Sequence, residues 1–258
     1  MRRIFVISSY VAQGTVGLQA TLPALPNAMF DVVAVPTVVL SNHPGFKACA
    51  GTALEPHILS AMVDALEANG WLNGLDAIFT GYLPSADHVQ WARRTVERVK
   101  ALNGSALYIA DPVLGDDPGG LYVSGETADA VRDRLIPLAD LVTPNSFELS
   151  WLTGLAVTCP ATAMTAARAL KRPRIAATSI PSGAANLANI LVTPSETWTD
   201  SVARLAHAPH GTGDYFAGLL TAGLLSGQTD QAALSHATQT TANIIAASQN
   251  HDHLRFTD

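Results

Sequence analysis

Few charged residues and only two cysteines set the first limits on this sequence. Charged side chains make up 14% of the chain and the net charge is -6, which argues against a nucleic-acid surface. Cys49 and Cys159 form no CxxC pair, so neither a zinc site nor a disulfide framework is implied. No stretch approaches the length of a membrane span, and the apolar run after Met1 is too short for a signal peptide. We therefore expect a cytoplasmic protein without nucleic-acid or membrane partners.

Several common catalytic motifs are also missing. The segment after the first predicted strand reads Gly14-Thr15-Val16-Gly17, which is not the GxGxxG of dinucleotide-binding folds. There is no GxxxxGK[ST] loop, which excludes an ordinary phosphate-loop NTPase. No serine lies in a GxSxG elbow, and the eight histidines show no HExxH spacing.

What the chain does contain is a high apolar content in alternating segments. Apolar residues make up 48% of 258 positions, enough for one large domain over 1–258. Strands are predicted at 3–9, 31–40, 76–80, 106–110, 140–142 and 174–178, with a hairpin at 189–192 and 197–199 and a bulge or edge at Pro36. Helices are predicted at 14–29 (interrupted by prolines), 56–69, 85–102, 125–135, after a cap at Ser146, and at 161–170, 212–226 and 230–248. This alternation predicts an α/β fold, a mainly parallel central sheet with helices on both faces.

Polar side chains recur where the predicted strands end. The residues at these ends are Ser9, Tyr82, Asp111, Thr143 and Thr178. Ligands of open α/β sheets bind at the carboxyl ends of the strands. The sequence therefore predicts a binding site along that edge.

A glycine turn opens the long apolar helix near the C-terminus. It reads His210-Gly211-Thr212-Gly213-Asp214. Glycines let the backbone approach a ligand closely, and the first amides of a helix can bind an anion. Asp214 is either a base beside a bound phosphate or an ordinary acidic residue in a first helical turn, and the motif alone leaves both open.

Three further acids belong to two neighbouring strand ends. Asp111 and Asp116 share one loop, and Glu148 follows the next strand. Each could be a solvated loop acid or a first-turn charge, but together they could hold Mg²⁺ through oxygen ligands and water. With the glycine turn they provide the parts of a phosphoryl-transfer site: metal, anion cradle and base.

The chain resembles the pyridoxal kinases of the ribokinase-like superfamily over almost its whole length. Seven motifs in the same order carry the resemblance: SYVAQGTVG at 9–17, VPTVVLSNHPGF at 35–46, TGY at 80–82, DPVLGD at 111–116, TPNSFE at 143–148, TS at 178–179 and GTGD at 211–214. The SNH loop and the DPVLGD run are the most discriminating of them. The resemblance implies ATP-dependent phosphorylation of the 5′-hydroxymethyl group of pyridoxal, pyridoxine or pyridoxamine.

The same resemblance implies a role for each site residue. Asp214 would take the hydroxyl proton, and the amides of Gly211, Thr212 and Gly213 would bind the transferred phosphoryl group. Asp116 and Glu148 would order Mg²⁺, Asp111 and Thr143 would lie by the phosphates or a cation, and Tyr122 would belong to that cluster. Thr178 would contact the nucleotide phosphates. The vitamer would contact Ser9, Val16, His43 and Tyr82 as well as Asp214.

Two alternatives and several details stay open at this point. A hydroxymethylpyrimidine kinase shares the fold and the reaction, although the SNH loop and Asp214 favour a pyridoxal kinase. A pyridoxal-binding protein without turnover would use the same vitamer contacts. The resemblance also implies a homodimer, while the preferred vitamer, a requirement for K⁺ and the adenine contacts are not specified by the sequence.

Overall fold

A nine-stranded sheet runs through the molecule in the computed structural model, which describes residues 1–205 and 207–256. Its strands are β1 (Arg2–Gln13), β2 (Phe30–Asn42), β3 (Gly51–Ala53), β4 (Ala77–Thr80), β5 (Leu107–Ala110), β8 (Leu141–Val142), β9 (Arg174–Ser182), β10 (Asn186–Val192) and β11 (Thr197–Ala203). A separate two-stranded ribbon consists of β6 (Gly115–Asp116) and β7 (Gly120–Leu121). The predicted end of the domain at residue 258 lies outside the described residues.

The sheet order is β11-β10-β9-β8-β5-β4-β1-β2-β3. The six strands from β9 to β2 pair in parallel, whereas β3, β10 and β11 add antiparallel edges. The predicted mainly parallel sheet is therefore confirmed, and so is the predicted hairpin, which is longer at both strands. The carboxyl ends of β1, β4, β5, β8 and β9 meet at one edge, as the recurrence of polar strand ends predicts.

The helices cover both faces of this sheet. They are α1 (Leu18–Thr21), α2 (Pro56–Ala68), α3 (Ala86–Leu102), α4 (Gly125–Ala130), α5 (Ser146–Thr153), α6 (Pro160–Ala169), α7 (Thr212–Leu225) and α8 (Asp230–Ala247). Successive residues of β1 point to opposite faces, so Phe5 and Ile7 pack in the core beneath α2 and α3, while Ile4 and Val6 pack beneath α7 and α8. A third cluster lies between α5, α6 and the β9–β10 pair.

Some predicted boundaries were wrong for local reasons. The segment predicted as a helix over 14–29 is α1 followed by a 3₁₀ turn at Leu22–Ala24, and Pro23 interrupts it as predicted because proline supplies no amide hydrogen. The cap of α5 is Asn145 and not Ser146, since the Asn145 side chain accepts a hydrogen bond from the Glu148 amide at 2.9 Å. β1 continues past Ser9 to Gln13 because it keeps pairing with β2.

Pro36 marks a bulge, as its position in a predicted strand indicates. The register between β1 and β2 shifts from Ser8 opposite Pro36 to Tyr10 opposite Val39, which leaves one extra residue in β2. Thr37, beside the shift, is fully buried and donates its hydroxyl to the Tyr82 carbonyl at 2.8 Å. The bulge therefore ties β2 to the site-forming end of β4.

Among the described helices none has the length and apolar character needed to cross a membrane.

Candidate active site

The glycine turn packs directly against the loop that follows β1. Gly211 has a left-handed backbone, φ 91°, and caps α7 at its N-terminus. A Cβ at Gly211 would lie 1.6 Å from the carbonyl oxygen of Thr15, so a side chain there is sterically excluded. A Cβ at Gly213 would meet no atom of the described residues within 4 Å, so space is open beside the first amides of α7. The turn therefore combines a fixed position with an exposed row of helix N-terminal amides, the arrangement that binds anions.

Asp214 is a half-buried acid in the first turn of α7. Its Oδ1 is buried and finds no hydrogen-bond partner in the described part of the chain. Burial raises the pKa of Asp214 to about 6, although hydrogen bonds from the amides of Gly17 and of Asp214 itself act in the opposite direction. A carboxylate with a free lone pair and a pKa near 6 has the properties of a general base at neutral pH.

Asp111 lies in the same acidic cluster at the end of β5. It is buried and accepts a hydrogen bond from the Thr143 hydroxyl at 2.9 Å. Burial raises the pKa of Asp111 well above its usual range, and the nearby charges of Asp214 and Glu148 raise it further. Three carboxyl groups from β5, α5 and α7 thus repel one another in a buried space, where a cation would relieve the repulsion.

Glu148 completes the cluster and also holds two chain segments. Its oxygens accept hydrogen bonds from the Leu114 amide at 2.8 Å and the Asn145 amide at 2.9 Å. It thereby closes the capping box of α5 and fixes the loop after Asp111. Burial raises the pKa of Glu148 to about 7, against the effect of these backbone hydrogen bonds.

Asp116 lies on the small β6–β7 ribbon, and Tyr122 directly follows it. A Cβ at Gly119 would lie 2.6 Å from Asp116 Oδ1 and 3.8 Å from the Tyr122 ring. Burial raises the pKa of Tyr122, and Asp116 raises it further, so the two side chains are neighbours. The Tyr122 amide donates to the Leu114 carbonyl at 2.7 Å, which ties the ribbon to the segment that Glu148 holds.

The acidic cluster is not arranged as a direct metal cage. In the described residues, no group of three or more His, Cys, Asp or Glu side chains has the geometry to hold a metal ion. The acids of the cluster nonetheless offer carboxylate oxygens, and Asp214 Oδ1 has no hydrogen-bond partner among the described residues. Such a donor set fits a hard cation that keeps several of its waters, as Mg²⁺ does.

The residues predicted to contact a substrate lie around the end of β1. Ser9 is buried against Gly17, where a Cβ would lie 2.2 Å from the Ser9 hydroxyl oxygen. The backbone of Gly17 also lies near the Asp214 carboxylate, whose pKa it lowers. Val16 is only half-buried, so it is not an ordinary core residue. The structure thus brings Ser9 and Val16 next to the glycine turn.

Tyr82 and Thr178 flank the cluster on opposite sides. Tyr82 is half-buried at the end of β4, and its amide donates to the Ser8 hydroxyl at 3.3 Å. Thr178 is buried on β9, and its amide donates to the Pro144 carbonyl at 2.9 Å, beside Asn145. The carboxyl edge of the sheet therefore carries polar side chains on both sides of the acidic cluster.

His43 meets a residue that the sequence motifs do not point to. Its ring stacks on that of His210, with centroids 3.9 Å apart and planes 20° from parallel. Burial lowers the pKa of His43 and the neighbouring His210 lowers it further, whereas Asp116 raises it. The only sequence indication was the position of His210 next to Gly211, and a histidine beside a turn is more often a plain loop residue.

The chain is similar to known proteins over nearly its whole length. The family model described as phosphomethylpyrimidine kinase matches residues 7–256. A pyridoxine/pyridoxal/pyridoxamine kinase of Bordetella avium is 36% identical over 251 residues, covering 94% of this chain and 84% of the relative. The pyridoxal kinase of Entamoeba histolytica superposes with a TM-score of 0.92 at 28% identity, covering 98% of this chain and 92% of that one. The pyridoxal kinase of Leishmania donovani in complex with ADP and pyridoxamine gives 0.91 at 30% identity, covering 96% and 88%.

Proposed function

The chain belongs to the phosphomethylpyrimidine kinase family and to the pyridoxal kinases of the ribokinase-like superfamily, and from that premise we propose how its residues carry out the reaction. It is a kinase that phosphorylates vitamin B6. The proposed reaction moves the γ-phosphoryl group of ATP to the 5′-hydroxyl of pyridoxal, pyridoxine or pyridoxamine. The observation that supports the proposed mechanism best is the Asp214 carboxylate, with a buried oxygen that has no hydrogen-bond partner among the described residues, at the start of a helix opened by a glycine turn.

Asp214 is the proposed base. With a pKa of about 6 it is mostly ionised at neutral pH, and its free oxygen can accept the proton of the attacking 5′-hydroxyl. The backbone amides of Gly17 and of Asp214 itself act on this carboxylate in the direction that favours its ionised form. Positioned bases of this kind typically contribute about 10²–10⁴ in rate.

The amides of Gly211, Thr212 and Gly213 are the proposed cradle for the transferred group. The contact between Gly211 and Thr15 fixes the turn before any ligand binds. A preorganised row of donors stabilises the charge on the phosphoryl oxygens without rearranging during the reaction. Loss of one such donor typically lowers the rate about 10²–10³-fold.

Asp111, Asp116 and Glu148 are the proposed holders of Mg²⁺, in part through water. When bound, the ion neutralises phosphate charge and offsets the repulsion among the buried acids. Tyr122 would orient Asp116, while Thr143 would keep the Asp111 carboxylate aimed at the cluster through their 2.9 Å hydrogen bond. Thr178 would contact the nucleotide phosphates from β9, and whether K⁺ also binds stays a prediction.

Ser9, Val16, His43 and Tyr82 are the proposed vitamer contacts. Ser9 would bind a polar edge of the pyridine ring, Val16 would pack on it, and His43 and Tyr82 would flank it. In this proposal the 5′-substituent of the vitamer would lie on the Asp214 side. A homodimer remains a family-based prediction, which sedimentation of the purified protein would test.

An ADP-release assay with a panel of acceptors tests the function. Pyridoxal, pyridoxine, pyridoxamine and hydroxymethylpyrimidine would each be supplied with MgATP, and vitamer binding would be measured in parallel by calorimetry. We expect turnover with the B6 vitamers. Turnover with hydroxymethylpyrimidine alone would favour the family's other reaction, and tight pyridoxal binding without any ADP release would favour a binding protein.

A further inference from the structure

The loop after β2 carries His43 and is bonded mainly to itself. The side-chain Nδ2 of Asn42 donates hydrogen bonds to the backbone carbonyls of His43, at 3.0 Å, and Ala48, at 2.9 Å. The Gly45 amide donates to His43 Nδ1 at 3.1 Å, and the Ser41 amide to the Ala50 carbonyl at 2.7 Å. In the described part of the chain, the hydrogen bonds of residues 43–50 stay within 41–50. Such a loop keeps its own shape, but in the described residues no hydrogen bond joins it to the glycine turn at 211–214.

The stack of His43 on His210 anchors the loop instead. The rings lie 3.9 Å apart and nearly parallel, and a Cβ at Gly45 would lie 3.7 Å from His210 Nε2. His43 Nδ1 is already occupied by the Gly45 amide, which fixes the plane of the His43 ring for stacking. The contact therefore joins the loop to the residue that directly precedes the glycine turn.

The backbone of His210 is held by the C-terminal segment. It forms a parallel bridge with His253 of the C-terminal segment, whose next residue, Leu254, donates its amide to the Thr15 hydroxyl at 2.8 Å. Thr15 in turn packs against Gly211. The segment at His253 and Leu254, together with Thr15, thus holds both His210 and the glycine turn.

We propose that His210 is a positioning residue for the vitamer. Its ring stacks on His43 and thereby holds His43 and its loop at a fixed position relative to the glycine turn. This inference rests on the proposed function, since it assigns the vitamer to the His43 side of Asp214. His210 acts through His43, so its effect falls on the binding of the vitamer and not on the transfer step. A flat ring at position 210 is the requirement, and neither a charge nor a hydrogen bond from it is needed.

The test compares His210→Ala with His210→Phe in steady-state kinetics. His210→Ala removes the stack and should raise KM for the B6 vitamer about threefold to tenfold, the effect expected for one aromatic pair. The KM for MgATP and kcat should change less than twofold. His210→Phe keeps a flat ring and should restore the vitamer KM to within about twofold of the original.

His253→Ala is the matched control. His253 contacts His210 through the backbone bridge, so its side chain is not needed for the stack and the vitamer KM should stay unchanged. An unaltered vitamer KM in a folded His210→Ala protein would overturn the inference, and so would a His210→Phe protein as impaired as His210→Ala. If the original protein turns over no vitamer at all, the proposed function fails instead, which keeps the two failures distinct.

Discussion

Gly211 and Thr15 approach so closely that no side chain fits between them. A Cβ at position 211 would lie 1.6 Å from the Thr15 carbonyl oxygen, in a backbone with φ 91°. The residue that opens the phosphate cradle is therefore held by the loop that follows β1, the strand bearing a predicted vitamer contact. The two halves of the site are joined at this point.

Gly211→Ala should lower both stability and activity. The left-handed backbone costs a residue with a Cβ about 1–2 kcal/mol, and forcing atoms into a filled space adds about 1–3 kcal/mol. Gly227→Ala is the matched control, because Gly227 has φ 83° but no atom of the described residues within 4 Å of its Cβ position. Urea unfolding of the two variants measures the difference. If Gly211→Ala and Gly227→Ala lost the same free energy of unfolding, the contact with Thr15 would not exclude a side chain at position 211.

Gly213→Ala should separate folding from catalysis. A Cβ at 213 meets no atom of the described residues within 4 Å, and alanine favours a helix over glycine by up to about 1 kcal/mol, so the fold should be preserved or stabilised. The added methyl group would occupy the space assigned to the phosphoryl group. We expect kcat to fall about 10²-fold, comparable with the loss of one anion-binding donor. Full activity in this variant would move the phosphate away from Gly213.

Asp111→Asn should stabilise the metal-free protein, and more so at pH 8 than at pH 5. Because the folded-state pKa of Asp111 is raised, its burial destabilises the fold increasingly as pH rises from the unfolded pKa through the folded one. Asparagine removes that charge and can still accept the Thr143 hydrogen bond. A gain of about 1 kcal/mol would appear as roughly 2–4 °C in thermal unfolding at this chain length.

The pH trend and a metal titration together check that prediction. Mg²⁺ should raise the unfolding temperature of the original protein more than that of Asp111→Asn, since the variant has less repulsion for the ion to relieve. A stabilisation by Asp111→Asn that is the same at both pH values, or larger at pH 5, would contradict the raised pKa.

The pH dependence of the reaction should follow Asp214. The base works only when ionised, and its pKa is about 6, so kcat/KM for the vitamer should be level above pH 7 and fall about tenfold per unit below pH 6. The measurement is an initial-rate series from pH 5 to 9 at saturating MgATP. A profile that stays level down to pH 5 would exclude a base with this pKa.

Much of this architecture was predictable because it depends on local sequence. The buried strands appear as apolar runs, and their polar ends meet at one edge because parallel strands share a direction. Asp111 and Thr143 could therefore be assigned to one edge, and the resemblance to pyridoxal kinases added Asp214. The raised pKa values of Asp111 and Asp214 could not be predicted, since these depend on burial by residues distant in the chain.

Other features depend on contacts that the sequence does not encode locally. The stack of His43 on His210 joins two distant loops, and no pattern at either residue indicates it. Glu148 is a residue type that binds metal ions, but in the structure both of its carboxylate oxygens also accept hydrogen bonds from backbone amides. The cap at Asn145 was missed because Ser146 is an equally good capping residue type.

The role of Asp214 is tested most directly by Asp214→Asn. Product formation would be measured by mass spectrometry with pyridoxal and MgATP, and nucleotide binding by calorimetry on the same samples. Because asparagine keeps the shape and one acceptor but cannot take a proton, we expect the 5′-phosphate to form at least about 10²-fold more slowly while nucleotide affinity stays within a few-fold. A variant that forms the product at the original rate would contradict the assignment of Asp214 as the base.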